Sequence, residues 1–367
     1  MMDLLIQKHA AVIASYCLDL KKGEKLLIQG SIVTLPLIKE CYRQAILLGA
    51  HPQVKISHED LGEIMLKQGS SEQIQFIHQS ELTAYQTFDA FLTLMGTLNT
   101  RQMTDVDPQK IKLASHAFAP IIQIFMERMA KKEARWCGTM FPNWANAQEA
   151  SMSLADYQDF VYGSCYLNEE DPMAKWKQIH ADQQRLCDIL NARKTLRIVS
   201  EDTDLKMSVA GRNWVNCSGH VNFPDGEVFT GPVEDTAEGA IRFSFPGIFM
   251  GREVEDIRLT FEKGKVVKAA AGKGEELLNQ ILKTDPGARF VGEIAVGTNY
   301  NIKKFTRNML FDEKIGGTVH LAIGRSLPES LGKNQSAVHW DMLCDMKEGG
   351  KIYADEQLVY ENGRFII

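Results

Sequence analysis

Three short apolar runs in the last third of the chain each carry an acid or an imidazole at their centre, where a buried strand does not usually tolerate one. Glu293 stands among Val, Gly, Ile and Ala in GARFVGEIAVG. An ionised carboxylate without a partner there costs several kcal/mol or more to bury, so something must compensate it. His320 lies in TVHLAI, and His339 and Asp341 flank Trp340 in AVHWDML. On a strand the two-residue repeat points His339 and Asp341 to the same face. That face offers a nitrogen and an oxygen to a common point, a pairing that a borderline cation such as zinc accepts. Glu227, in PDGEVFTGP, adds a further carboxylate upstream. Glu227, Glu293, His320, His339 and Asp341 are thus five potential ligands from four short segments, sufficient for two metal ions sharing a carboxylate.

The rest of the chain supplies the frame. Residues 4–20 have helical spacing, with Leu5, Ile13, Cys17 and Leu20 near one stripe. Residues 25–30 (KLLIQG) read as a buried strand, a helix runs from Pro36 to Leu48, and 53–57 read as a second strand, a β-α-β unit with a right-handed crossover. A helical region over 61–80, a strand over 90–95, a long helix over 108–131 and a strand over 135–139 continue the alternation. An open, mostly parallel sheet is the expected outcome for this half. Its ligand-binding motifs are missing: there is no G-x-G-x-x-G and no Walker loop, since Gly272-Lys273-Gly274 lacks the spacing. Fold analogy alone therefore gives it no nucleotide.

Residues 150–190 read as a helical connector with Trp176 facing inward. From Thr195 onward the pattern changes to period two, at 196–199, 205–209, 240–245, 257–261 and 266–270, with one helix over 275–284. Gly264 and Asn362-Gly363 are hairpin signals. The expected organisation is an α/β domain with an open mostly parallel sheet over 1–190, including the connector. A mainly β (α+β) domain over 191–367 carries the metal site.

Composition narrows the function. A formal net charge of −6 argues against nucleic acid, and the densest basic stretch (Arg128, Lys131, Lys132 and Arg135) is interrupted by Glu127 and Glu133. No run approaches the roughly twenty apolar residues of a membrane span, and the N-terminus lacks the basic start and small-residue cleavage site of a signal peptide. The seven cysteines show no C-x-x-C spacing and sit mostly in apolar runs, as reduced thiols of a cytoplasmic protein would. There is no G-x-S-x-G nucleophile elbow. His220 reads as structural or substrate-lining.

The segments PDGEVFTGP, GARFVGEIAVG, LFDEK with GGTVHLAIG, and SAVHWDML, in this order, resemble the thermophilic-type metallo-aminopeptidases of the aminopeptidase T/S group. The runs GEKLLIQGS and TDLKMSVAGRNW extend the likeness over essentially the whole chain. The resemblance implies that Glu227, Glu293, His320, His339 and Asp341 are metal ligands and that Glu313 is a further acidic site residue. It also implies two divalent ions, short peptide substrates, and a homodimer in which the N-terminal domain helps enclose the site. The donor set leaves the metal open among zinc, cobalt and manganese. Glu293 is the expected bridging ligand, and Glu227 or Glu313 the general base and acid. One position departs from the pattern: HLAIGRSLPES places Leu327 where the family has a tyrosine that helps stabilise the transition state. Leucine donates no hydrogen bond. Tyr300 and Arg325 are candidate substitutes for that donor, and a family member that binds metal or peptide without turnover is the alternative reading.

Overall fold

The computed structural model describes residues 2–367 and divides into two compact units. One comprises the residues up to Lys175 together with Gly219–Pro224, and the other Trp176–Ser218 with Asp225–Ile367. The Pro172–Asn191 helix, assigned from sequence to the first domain, begins in the first unit and continues in the second.

The first unit holds a parallel sheet in the order His51–Ser57, Lys25–Ser31, Ala90–Met95, Arg135–Met140, Asn222–Phe223. The first four are the expected strands. The fifth comes from far along the sequence, a two-residue addition that no local periodicity announces. The helical region expected over 61–80 forms three helices, Glu59–Gln68, Ser71–Gln75 and Gln79–Thr87. Gly69 stops the first, and Ser70 restarts the chain with a capping box, its hydroxyl accepting from Gln73 N while the Gln73 side chain accepts from Ser70 N. Within this unit His9 is buried, 2.9 Å from Thr139 Oγ1, and the His220 ring packs 4.7 Å from that of Tyr16.

The second unit is mainly antiparallel. Eight strands run in the order Lys265–Ala270, Ile257–Glu262, Glu238–Phe243, Thr203–Ser208, Thr195–Ser200, Lys351–Ala354, Gln357–Glu361, Arg364–Phe365. Lys263-Gly264 and Asn362-Gly363 turn two of its hairpins, all four residues at positive φ as a two-residue primed turn requires. A second sheet of five strands runs His339–Asp345, Thr318–Gly324, Val291–Gly297, Glu227–Thr230, Val215–Cys217.

One core joins these two sheets. Leu196, Ile198, Leu205, Ile241, Phe243 and Leu259 of the larger sheet share it with Val228, Ile294, Val296, Val319, Leu321, Ile323, Trp340 and Met342 of the smaller. The smaller sheet thus gives its alternate residues to the core, and the two-residue repeat sends the intervening ones to the opposite face. Those intervening residues include Glu227, Glu293, His320, His339 and Asp341. Trp176, expected in the interior, is wholly buried in this unit.

Candidate metal centre

Strand register brings the face together. Glu293 stands opposite Ala322, and Ala322 opposite Asp341, so the acids of the Val291–Gly297 and His339–Asp345 strands flank an alanine. Gly297 lies opposite Glu227, and Gly324 opposite His339. Ala295, Gly297, Ala322 and Gly324 are thus the small neighbours that leave room among the long polar side chains. At Gly292 the register shifts by a bulge, and a Cβ there would meet the carbonyl oxygens of Gly324 and Arg325 at 2.4 and 2.5 Å. Only glycine lets the backbone approach so closely.

His320 is the hub. Its Nε2 lies 3.3 Å from Glu227 Oε2 and 3.4 Å from Glu293 Oε1. His339 Nε2 lies 3.7 Å from Glu293 Oε2 and 3.5 Å from Asp341 Oδ2. The five residues expected from sequence are therefore neighbours. Glu293, His320 and Asp341 each offer one donor atom within 4.8 Å of the others. Glu227 falls in a second such group, with Cys217 and Asp225. Glu313 follows the short Met309–Asp312 helix, and its carboxylate accepts from the ammonium of Lys314.

Sequence reading did not reach Lys314, Asp225 or Cys217. Lys314 is wholly buried, with its Nζ 3.9 Å from Glu227 Oε1 as well as against Glu313. A buried lysine beside a carboxylate in DEK reads from sequence as an exposed charged turn; its position behind Glu227 exists only once the strands assemble.

The electrostatics are those of a buried, acid-rich cluster. Burial lifts Glu227 well above the usual carboxylate range, against the opposing pull of Lys314. Burial likewise raises Asp341 to about 6, with His339 opposing. For His320 burial disfavours the charged ring, but Glu293, Glu227 and Asp341 outweigh it and push the imidazole up to about 10. Burial also works against the Lys314 ammonium, yet Glu313, Glu227 and Asp225 hold its pKa above the ordinary value. Burial first, then Asp225 and Glu227, drive the Cys217 thiol far above its normal range.

Glu227 Oε2, Glu293 Oε2, His320 Nδ1 and Asp341 Oδ1 are buried yet have no hydrogen-bond partner among the described residues. Buried polar atoms are nearly always satisfied, so three carboxylate oxygens and an imidazole left short on one sheet fit a divalent cation. His339 is aimed for the same purpose: its Nδ1 donates to the carbonyl oxygen of Arg325 at 2.7 Å, which leaves Nε2 as the nitrogen that faces Glu293 and Asp341. His220 lies in the first unit's segment, outside this cluster. Tyr300 turns its hydroxyl away to donate to the carbonyl of Gly363 at 2.9 Å, so it is not a ready replacement for the family tyrosine.

Over residues 2–365 the chain matches the family model described as "Thermophilic metalloprotease (M29)". It is 27% identical to aminopeptidase T of Thermus thermophilus, over 98% of this chain and 95% of that one. It is 25% identical to aminopeptidase 2 of Geobacillus stearothermophilus, over 92% and 91% of the two chains. The solved structure of wild-type AmpT from Thermus thermophilus has the same fold, with a TM-score of 0.86 over 99% of each chain at 24% identity.

Proposed function

This chain belongs to the thermophilic metalloprotease (M29) family, and from that premise we propose that it is an aminopeptidase removing N-terminal residues from short peptides. The observation that carries the proposal is the convergence of Glu227, Glu293, His320, His339 and Asp341 in one buried cluster, four of whose side chains keep a polar atom without a hydrogen-bond partner among the described residues. Two divalent ions are the proposed complement, drawn from zinc, cobalt and manganese. Glu293, His320, His339 and Asp341 would hold one ion, and Glu227 with Glu313 would hold the other.

Divalent ions held there supply Lewis acidity at the scissile carbonyl and acidify the attacking water, and one of them would take the substrate's free α-amine, which selects a peptide terminus over an internal bond. The remaining work falls to the chain. Glu227 Oε2, buried and without a hydrogen-bond partner, is suited to take a proton from the water and return it to the departing amine. Glu313, whose carboxylate accepts from the Lys314 ammonium, is the second candidate for that transfer. The apolar wall behind the site, Ile294, Val296, Leu321 and Ile323, excludes solvent from the opposite face of the sheet.

The proposed setting is the cytoplasm, and the proposed assembly a homodimer. The seven free cysteines are consistent with a reducing compartment, and no helix among the described residues is long and apolar enough to cross a membrane. A second reading, a family member that holds metal or peptide without turnover, rests on Leu327. Incubation with a short peptide and with its N-acetylated form, followed by mass spectrometry, tests the main proposal. Sequential loss of residues from the free peptide alone supports it; an unchanged free peptide across zinc, cobalt and manganese favours the second reading.

A further inference from the structure

The proposed ligands do not form a single symmetric cluster. Glu293, His320 and Asp341 bring donor atoms within 4.8 Å of one another, and Glu227 does so in a second group, with Asp225 and Cys217. Lys314 enters at that second place. Its side chain has no exposed surface, its ammonium contacts Glu313, and it lies 3.9 Å from Glu227 Oε1.

The placement is held by backbone on several sides. Lys314 N donates to the Phe311 carbonyl at 3.0 Å, and Lys314 O accepts from Asn299 N at 3.1 Å. The Asn299 side chain in turn donates to the Asp225 carbonyl at 2.8 Å. Gly297 allows the approach, since a Cβ there would meet Ile315 O at 2.2 Å and the Lys314 carbonyl carbon at 3.0 Å. A flexible surface lysine needs none of these supports. Buried charges persist when paired, and here both partners are residues assigned above to the second cation.

We propose that the Lys314 ammonium occupies the cation position between Glu227 and Glu313, so that the centre loads unequally: one ion tightly at Glu293, His320 and Asp341, the second only by displacing the lysine. The inference rests on the metal-centre reading above and deepens it. A lysine is a compact point charge with three donors, able to satisfy two carboxylates without a metal's geometric demands. It keeps Glu227 and Glu313 compensated while the second ion is away. A second ion must then displace an ammonium from two buried carboxylates before it gains its own ligands, whereas no lysine or arginine pairs with Glu293 or Asp341 among the described residues, and Glu293 Oε2, His320 Nδ1 and Asp341 Oδ1 there lack a hydrogen-bond partner.

The test is calorimetric titration of the chelator-stripped full-length protein with manganese or cobalt chloride, alongside Lys314→Met. The wild type is expected to take one equivalent tightly and a second about a hundredfold or more less tightly, a gap of at least about 2.7 kcal/mol. Lys314→Met removes the competitor and should tighten the second equivalent by a similar factor. The metal-free variant should also melt lower than the wild type, because Glu227 and Glu313 lose their partner, and should recover on loading. Two equal equivalents in the wild type, or an unchanged second equivalent in Lys314→Met, would overturn the inference while leaving the metal centre standing. No tight equivalent in either protein overturns the centre itself. Should Lys314→Met fail to fold, the wild-type isotherm still decides between unequal and equal loading.

Discussion

His339 donates its Nδ1 hydrogen to the carbonyl oxygen of Arg325 at 2.7 Å, and Nε2 is thereby directed toward Glu293 and Asp341. Asparagine at this position can retain a donor to that carbonyl but offers nothing in place of Nε2. His339→Asn should therefore fold with a melting temperature near the wild type's and bind its first ion more weakly. A loss on the order of tenfold to a hundredfold or more is expected, judged by the cost of disturbing a ligand's supporting bonds. Calorimetric titration measures it, and an unchanged affinity would remove His339 from the centre.

Metal affinity should rise with pH. In the metal-free protein His320 is pushed up to about 10, so at neutral pH its ring carries a proton that an ion must expel. Glu227, raised by burial, adds a proton to be released while it remains un-ionised. The apparent affinity should climb about tenfold per pH unit for each proton released, until the pH passes the pKa of the group concerned. Titration in two buffers of different ionisation enthalpy counts those protons. Binding that is independent of pH between 6 and 8 would contradict the charge state assigned to His320.

A second pH effect belongs to the first unit. His9 is wholly buried, and burial lowers its pKa from 6.5 to about 3. Between those values the unfolded chain binds a proton that the folded chain refuses. The folded state therefore loses stability as pH falls through that window, by at most about 1.4 kcal/mol per unit. His9→Gln keeps a polar group beside Thr139 without titrating, so its stability should fall less steeply from pH 6.5 toward 4. Urea denaturation of the two proteins across that range checks the difference in slope, and parallel curves would contradict it.

Leu327 opens the Pro328–Ser330 turn and supplies only its backbone carbonyl as an acceptor, to Ser330 N and Oγ. Leu327→Tyr should leave metal binding unchanged and raise kcat on a short peptide by about a hundredfold, the scale of one well-aimed donor at a developing oxyanion. Steady-state kinetics of both proteins distinguish this from a site in which the phenol is not limiting, where the two would turn over alike.

The five ligand candidates were legible because their chemistry contradicts their surroundings: an acid at Glu293 and an imidazole at His320 are expensive in apolar strands, and the two-residue repeat fixes the face they share. The open parallel sheet was legible from the alternation of strands and helices. Its fifth strand was not, because Asn222–Phe223 is two residues long and pairs with Arg135–Met140 across more than eighty positions. The split of the 61–80 helical region turned on the capping box at Ser70 after Gly69, a local hydrogen-bond choice stronger than the apolar spacing. Lys314 was hidden for a different reason. Charge beside charge in DEK looks solvated until the turn after Met309–Asp312 folds it behind the Glu227–Thr230 strand.

Anomalous diffraction from crystals of the protein loaded with cobalt or zinc tests the central claim most directly. The expected result is a peak about 2.0–2.2 Å from oxygens of Glu293 and Asp341 and nitrogens of His320 and His339. Loaded crystals with no peak at these four side chains, or with the ion bound elsewhere on the molecule, would contradict the account.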